Sequence, residues 1–353
     1  MVEICCVDVG LGTEDILFYN PSWSDCFKIV IPAPTQVFAR KVLSIKKNNL
    51  FFSGGIIGGG PITQSVKNRI KAGVKIVATP EAALTFNYDL AEVKSLGIDV
   101  QEMCPDGDFE EIKLNEVDVE LINEVSKNNL IFNKLDFIIF AVQDHGKPLD
   151  GSSTISYRHK IISDQIKNDP RPLSFLYHIS KIPESLLRMR SDANRLSESF
   201  DGQIFVADTV IAASIGATLD PQVRNYRNLL TIDIGNGHTF AARLINEEIV
   251  GYFETHTKTL TAEKLEKFIK LLSNGSLTNE LVVDEGGHGA YLTDKCDNMT
   301  EQIVVTGPRR KIMEKTSLNY CYANPLGDNL MTGSAGLLYL ISKKNNIDLK
   351  IDW

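Results

Sequence analysis

The sequence predicts a duplicated α/β fold, two mixed-sheet domains around one cleft, and three observations carry that prediction. One passage is written nearly twice: Glu3–Tyr19 reads EICCVDVGLGTEDILFY and Leu229–Leu244 reads LLTIDIGNGHTFAARL. Each copy is followed by a third apolar run, FKIVIP at Phe27–Pro32 and EEIVGYFETHT at Glu247–Thr257. Strand–helix alternation then continues in both halves. Short apolar, β-branched runs bounded by glycine make strands and tight turns, and their repeated order favours two α/β units. The expected division is 1–220 and 221–353.

Within the repeat, Asp8, Gly10, Gly12 and Thr13 answer to Asp233, Gly235, Gly237 and Thr239. A glycine-rich turn offers backbone N–H groups to phosphate oxygens with no side chain in the way. A carboxylate at each strand end then has a task, holding the divalent cation that accompanies a polyphosphate.

Further elements follow in chain order. Thr35–Asn49 has apolar residues at helical spacing, with Thr35 as N-cap. LFFSGGIIGGGP (Leu50–Pro61) leaves a strand for a glycine cluster and a helix. KIVAT, a short helix at Glu81–Thr85 and DLAEVKSLGIDVQEM keep up the alternation. The acidic, weakly patterned stretch within 100–134 reads as an insertion or a surface helix. LDFIIFAVQDHG (Leu135–Gly146) is an apolar strand delivering Gln143, Asp144 and His145 at its C-terminal end, where open α/β sheets place ligands. DGSSTISYRHK reads as a loop. PESLLRMRSDANRL reads as a helix whose Arg188, Arg190 and Arg195 form a solvated face. QIFVADTVIAASIGATLD (Gln203–Asp220) joins a strand, the acid Asp208 and a helix of small residues. In the second half, helices at Ala262–Leu272 and Asp328–Lys344 flank IVVTGPRRKIMEK, a strand, turn and helix.

Composition narrows the function classes. The 353-residue chain is 43% hydrophobic and 23% charged, with a formal charge of −8. That balance argues against a nucleic-acid or anionic-membrane partner. No apolar run approaches the roughly 20 residues a spanning helix needs, so a cytoplasmic protein is expected. Six cysteines, Cys5, Cys6, Cys26, Cys104, Cys296 and Cys321, contain no CxxC and no CxxxCxxC. Most of them read as buried small hydrophobes.

Five segments in fixed order resemble the elements of the ATPase superfamily of actin, the heat-shock chaperones and the sugar kinases. DVGLGT is similar to phosphate loop one, VADTVIAASIGA to the first connecting helix and DIGNGHT to phosphate loop two; VVTGPRR is similar to the adenosine turn and TGSAGLL to the second connecting helix. The resemblance implies a duplicated actin-like (ribonuclease-H-like) ATPase fold binding ATP and Mg2+ in its cleft. It assigns Asp8 and Asp233 to the metal, Thr13 and Thr239 to phosphate, and Gly307 and Arg309 to the nucleotide base. Two departures stand out. Asn236 and His238 interrupt the usual second loop, and Pro308 follows Gly307 where a second glycine is usual. GGIIGGGP, FAVQDHG and GGHGA, with the loops above, are similar to one mainly archaeal family of this superfamily, labelled a pyruvate formate-lyase activating enzyme. The label implies radical chemistry, and the missing cysteine triplet argues against it.

VADTV is similar to a stretch of hexokinase-type sugar kinases in which the acid, here Asp208, deprotonates the attacking group. Asp208 is equally well placed to cap the next helix, which leaves Asp144 or His238 as the alternative base. His145, His238, His256 and His288, with Asp144 or Asp284, form a candidate transition-metal set without HxxxH or HExxH spacing. The leading expectation is a phosphotransferase (kinase) or ATP hydrolase working through cleft closure, with a nucleotide and a small-molecule or protein acceptor as partners. A nucleotide-dependent activator or assembly protein with slow turnover is one alternative. A metal-assisted carbamoyl or acyl transferase is another.

Overall fold

In the computed structural model, strand β1 (Ile4–Val9) turns through Gly10–Gly12 into β2 (Thr13–Tyr19), and β3 (Phe27–Pro32) completes an antiparallel meander. The structure describes residues 2–23, 25–46, 49–128, 135–149, 151–294 and 299–353. Cys296 and residues 129–134 of the acidic stretch lie outside them.

After the meander come α1 (Pro34–Ser44), β4 (Asn49–Gly54), α2 (Gly60–Lys71), β5 (Lys75–Ala78), α3 (Pro80–Ala83), α4 (Leu90–Ser95), β6 (Ile98–Val100) and β7 (Phe109–Leu114). These strands form a separate four-stranded parallel sheet in the order β6-β5-β4-β7, with its own core around Leu50, Phe52, Ile76 and Ile112. The insert therefore begins well upstream of the 100–134 stretch. Its alternation of strand and helix is that of a self-contained parallel unit.

The chain then returns through α5 (Val119–Asn128) to β8 (Phe137–Val142), α6 (Thr154–Asn168), β9 (Tyr177–His178), α7 (Leu187–Ser197), β10 (Gln203–Asp208) and α8 (Thr209–Thr218). The first sheet runs β3-β2-β1-β8-β10-β9, with β1, β8 and β10 parallel. Strand β1 is covered on both sides: Cys5, Val7 and Val9 enter one core cluster, Ile4 and Cys6 another. A strand buried on both faces carries no polar alternation, which is why ICCV reads as a continuous apolar run.

The second half repeats this plan. It holds β11 (Asn228–Ile234), β12 (His238–Ile245), β13 (Glu248–His256), α9 (Ala262–Ser273), α10 (Asn279–Asp284), β14 (Gly289–Leu292), β15 (Gln302–Thr306), β16 (Cys321–Tyr322) and α11 (Thr332–Asn345). Its sheet order is β14-β13-β12-β11-β15-β16. Strands β13-β12-β11-β15 thus reproduce β3-β2-β1-β8, two antiparallel pairs and one parallel pair. This is the duplicated mixed-sheet arrangement that the repeated hairpins predict.

Helices α8 and α11 join the halves. A Cβ on Gly216 would lie 1.7 Å from the Thr332 carbonyl oxygen, and one on Gly336 would lie 1.9 Å from that of Ala212. The two backbones touch, so the small-residue runs IAASIGA and TGSAG are a packing requirement of this crossing.

Three local expectations are corrected. Thr35 is not a cap: α1 begins at Pro34 after Ala33, and the Thr35 hydroxyl donates to the Gly59 carbonyl at 3.0 Å. Proline suits the first helical turn because its missing N–H has no partner there. DGSSTISYRHK is not all loop, because the Ser153 hydroxyl accepts from Ser156 N at 3.1 Å and starts α6. After β15 the chain forms only a 3₁₀ turn at Arg310–Lys315.

Candidate functional site

The two repeated turns close in the same way. Gly10 N donates to Thr13 O at 2.9 Å, and Gly235 N donates to His238 O at 3.0 Å. Both face a cavity of about 500 Å³. Its walls include Gly10 and Leu11 from the first turn and Asp233, Gly235, Asn236, Gly237 and His238 from the second. Thr209 of α8, Gln143 and His145 beyond β8, and Gly58–Gly60 and Leu84–Tyr88 of the inserted unit complete it.

Asp8 and Asp233 occupy equivalent places one residue from the ends of β1 and β11. Thr209 donates its hydroxyl to Asp8 Oδ1 at 2.6 Å. Each carboxylate packs on a glycine. A Cβ on Gly333, at the start of α11, would lie 1.9 Å from Asp8 Oδ2, and one on Gly307 would lie 2.5 Å from Asp233 Oδ1. Burial raises the Asp8 carboxyl to about 6 and, with Asp8 nearby, that of Asp233 to about 7. Next to Asp8 across the hairpin, burial and Asp8 push Asp15 to about 8, and its Oδ1 has no hydrogen-bond partner. Asp8 and Asp233 offer carboxylate oxygens of the hard kind that a Mg2+-class cation takes.

The other predicted residues divide. Gly12 sits against the second turn, where its Cβ would meet Asn236 Nδ2 at 2.5 Å. The Thr13 hydroxyl faces Asp15 at 3.4 Å, and that of Thr239 is buried against Thr257 at 3.0 Å. Neither lines the cavity. Arg309 is exposed and donates from Nε to Asn236 Oδ1 at 3.0 Å, fixing the residue that interrupts the second loop.

Asp208 is not the free carboxylate a general base needs. It caps α8 by accepting from Val210 N at 3.2 Å, and Arg158 donates to its two oxygens at 2.6 and 3.1 Å. The same guanidinium reaches Glu254 at 2.9 Å and the Asp144 carbonyl at 3.0 Å. Against the opposing effect of burial, Arg158 and the hydrogen bond from His238 hold Glu254 well below the usual carboxylate range. Asp144 is likewise engaged: Tyr88 donates to it at 2.8 Å, Gly146 N at 2.9 Å and Met189 N at 3.1 Å. His238 does line the cavity, with its Nδ1 2.8 Å from Glu254 Oε1.

Two of the three α7 arginines, Arg188 and Arg195, are engaged within the protein and do not form a solvated face. Arg188 donates to Glu116 at 2.9 Å and to the Gln143 carbonyl at 2.8 Å, and Glu116 accepts from Gly58 N at 2.8 Å. Arg195 and Ser191 both donate to Glu81, at 2.9 and 2.6 Å. Helix α7 thus fastens the inserted unit, with its glycine cluster, to the first sheet.

A family profile described as "Putative pyruvate format-lyase activating enzyme (DUF1786)" matches residues 57–312. The chain belongs to this family. The match takes in the insert from Ile57 on, strands β8 and β10, helix α8 and the second repeated turn, and ends before α11. No curated protein matches the DUF1786 chain. Among solved structures, an inorganic polyphosphate/ATP-glucomannokinase from Arthrobacter sp. strain KM is 10% identical over 98% of this chain and 100% of its own, with a TM-score of 0.39. A ROK hexokinase from Thermus thermophilus is 9% identical over 98% and 100%, with a TM-score of 0.34. The AlfA filament structure from a B. subtilis plasmid is 10% identical over 96% and 98%, with a TM-score of 0.38.

The family's description does not fit an iron–sulfur site here. The one group of three or more His, Cys, Asp or Glu side chains gathered for a metal among the described residues contains no cysteine. Burial pushes the Cys5 and Cys6 thiols up, the reverse of what a ligand needs.

Sequence reasoning missed Arg158, Glu254 and Glu116. Arg158 lay in a run read as loop, and Glu254 sits mid-strand among apolar residues. An isolated acid inside an otherwise buried strand was the available signal for Glu254.

Proposed function

We propose that the chain binds a nucleoside triphosphate with a divalent cation between its two repeated turns and transfers or releases the terminal phosphoryl group. The observation that supports this most is the pair of like-built turns, 10–13 and 235–238, facing one cavity with an acid behind each. Backbone N–H groups of the turns would hold phosphate oxygens, and Asp8 and Asp233 would hold the cation, which neutralises charge on the phosphates when bound. Leu11 lies between the loops: a Cβ on Gly60 would sit 2.9 Å from it and one on Gly237 3.3 Å. Its movement would open or close the entrance.

A second reading, a nucleotide-driven activator or assembly protein with slow turnover, is favoured by the engagement of Asp208 and Asp144. Phosphoryl transfer without a free base at the acceptor is expected to be slow. Melting with Mg-ATP tests binding. Phosphate release, measured with and without a panel of small hydroxyl and carboxylate acceptors, separates the two outputs. Binding with no turnover on any acceptor would favour the switch, and no binding would remove both.

A further inference from the structure

We propose that His238, His256 and His288 form a binding site for a divalent transition metal, with an open coordination position toward the cleft. One ring nitrogen from each of the three lies within 4.8 Å of the others. His238 opens β12, His256 closes the adjacent strand β13, and the two are cross-strand partners. His288 arrives from the turn before β14, tied down by its N–H to the Glu254 carbonyl at 2.8 Å. Three separate backbone segments therefore aim imidazoles at one point.

The spacing suits two ligands of one ion. The Nε2 atoms of His256 and His288 are 3.1 Å apart. Two imidazoles at 2.0–2.1 Å from one tetrahedral zinc would have nitrogens about 3.3 Å apart. The other ring nitrogen of the buried His288, Nδ1, faces Glu254 Oε1 at 3.7 Å.

The outer contacts match a metal site as well. His238 Nδ1 lies 2.8 Å from Glu254 Oε1 and 2.6 Å from Gln143 Nε2, and Gln143 donates to the same Glu254 oxygen at 2.8 Å; in the tautomer with its proton on Nδ1, Nε2 keeps its lone pair for an ion. Arg158 keeps Glu254 anchored from behind. A carboxylate behind a ligand histidine fixes its tautomer and orientation, and loss of such a partner costs 10–100-fold in affinity. Three neutral nitrogens suit zinc, iron, nickel or copper and not Mg2+. Three protein ligands, not four, mark a site that keeps a position for water or substrate.

That position has a direction. His238 lines the cavity beside the second turn, and His145, from the other half of the molecule, stands with its ring 5.5 Å from His238 and 6.5 Å from His288. The ion would sit beside the region where the turns face the cavity, able to take an oxygen of a phosphoryl- or carboxylate-bearing molecule. The site does not depend on the nucleotide reading.

The test uses the full chain without an affinity tag, stripped by a chelator and dialysed against Zn2+ or Co2+ with no nucleotide present. One tightly held equivalent per chain is expected, with a cobalt visible spectrum of nitrogen ligation and a raised melting temperature. His256→Ala removes a half-buried ligand and should weaken binding by about 10²-fold or more, leaving the metal-free melt unchanged. His256→Asp restores an oxygen ligand and should recover part of the affinity. If the wild-type chain holds no more Zn2+ or Co2+ than His256→Ala, or if cobalt keeps its aqueous spectrum, the three histidines are only a hydrogen-bonded cluster and the proposal is overturned.

Discussion

Asp8, Asp233, Asp15 and Glu14 are held at about 6, 7, 8 and 8, in each case chiefly by burial. Unfolded carboxyls titrate near 4, so between those values the folded chain binds more protons than the unfolded one and stability falls as pH rises. Burial holds His145, His159 and His256 below the ordinary histidine range, an opposing effect that fades as unfolded imidazoles lose their protons above about pH 6.5. The cation-free protein should therefore melt at a higher temperature at pH 6.5 than at pH 8.5, with Mg-ATP narrowing the gap. A flat profile in calorimetry would place these carboxyls in wetter surroundings. Asp233→Asn should abolish the Mg-ATP shift while leaving the metal-free melt at pH 8 unchanged or higher. Arg158 gives a contrasting case. Arg158→Met strands two buried carboxylates and should cost about 3–5 kcal/mol in urea unfolding. Asp208→Asn keeps the cap and leaves Arg158 its bond to Glu254, so about 1.5–3 kcal/mol is expected. If Asp208→Asn instead left stability intact and removed turnover, Asp208 would be the base after all.

At the scale of elements, the crossing of α8 and α11 decides how the halves meet. Each helix carries a residue that fixes Asp8: Thr209 opens α8 beside it, and Gly333 lies in the first turn of α11 against the same carboxylate. Gly336→Ala adds a Cβ that would sit 1.9 Å from a carbonyl oxygen, so the helices must part. A loss of about 1–3 kcal/mol is expected, with a weakened nucleotide shift because Asp8 and Asp233 separate. A fully stable Gly336→Ala would mean that the crossing yields more easily than two backbones in contact allow. Helix α7 has the corresponding task for the inserted sheet, through Arg188–Glu116 and Arg195–Glu81.

At the scale of the molecule, the cleft has three walls: one turn from each duplicated half and the glycine cluster with Leu84–Tyr88 of the insert. A ligand touching all three ties the units together and binds only the folded state. Mg-ATP at a hundredfold excess over its dissociation constant should therefore stabilise the fold by about 2.7 kcal/mol. A melt unmoved by millimolar ATP, ADP or GTP with Mg2+ would remove the nucleotide reading. Among the described residues no helix is long and apolar enough to cross a membrane.

The sequence by itself determined the duplication. Local rules suffice for it, since an apolar run, an acid and two glycines fold into the same hairpin in both copies, and β1–β2 and β11–β12 have matching registers that put His238, not Thr239, in the place of Thr13. Small-residue helices, the third strands and the placing of Asp8 and Asp233 were legible for the same reason. Only the tertiary structure decided which side chains are free. Arg158 is 50 residues from Asp208 and 96 from Glu254, yet it neutralises both. His238, His256 and His288 have no sequence spacing that announces a cluster, because strand pairing and a turn bring them together. The insert's extent was hidden too, since a strand–helix alternation looks alike whether its strands join a neighbouring sheet or pair among themselves. Hydrogen-bonding partners and ion pairs between distant segments depend on the packed arrangement, and a linear pattern holds no record of it.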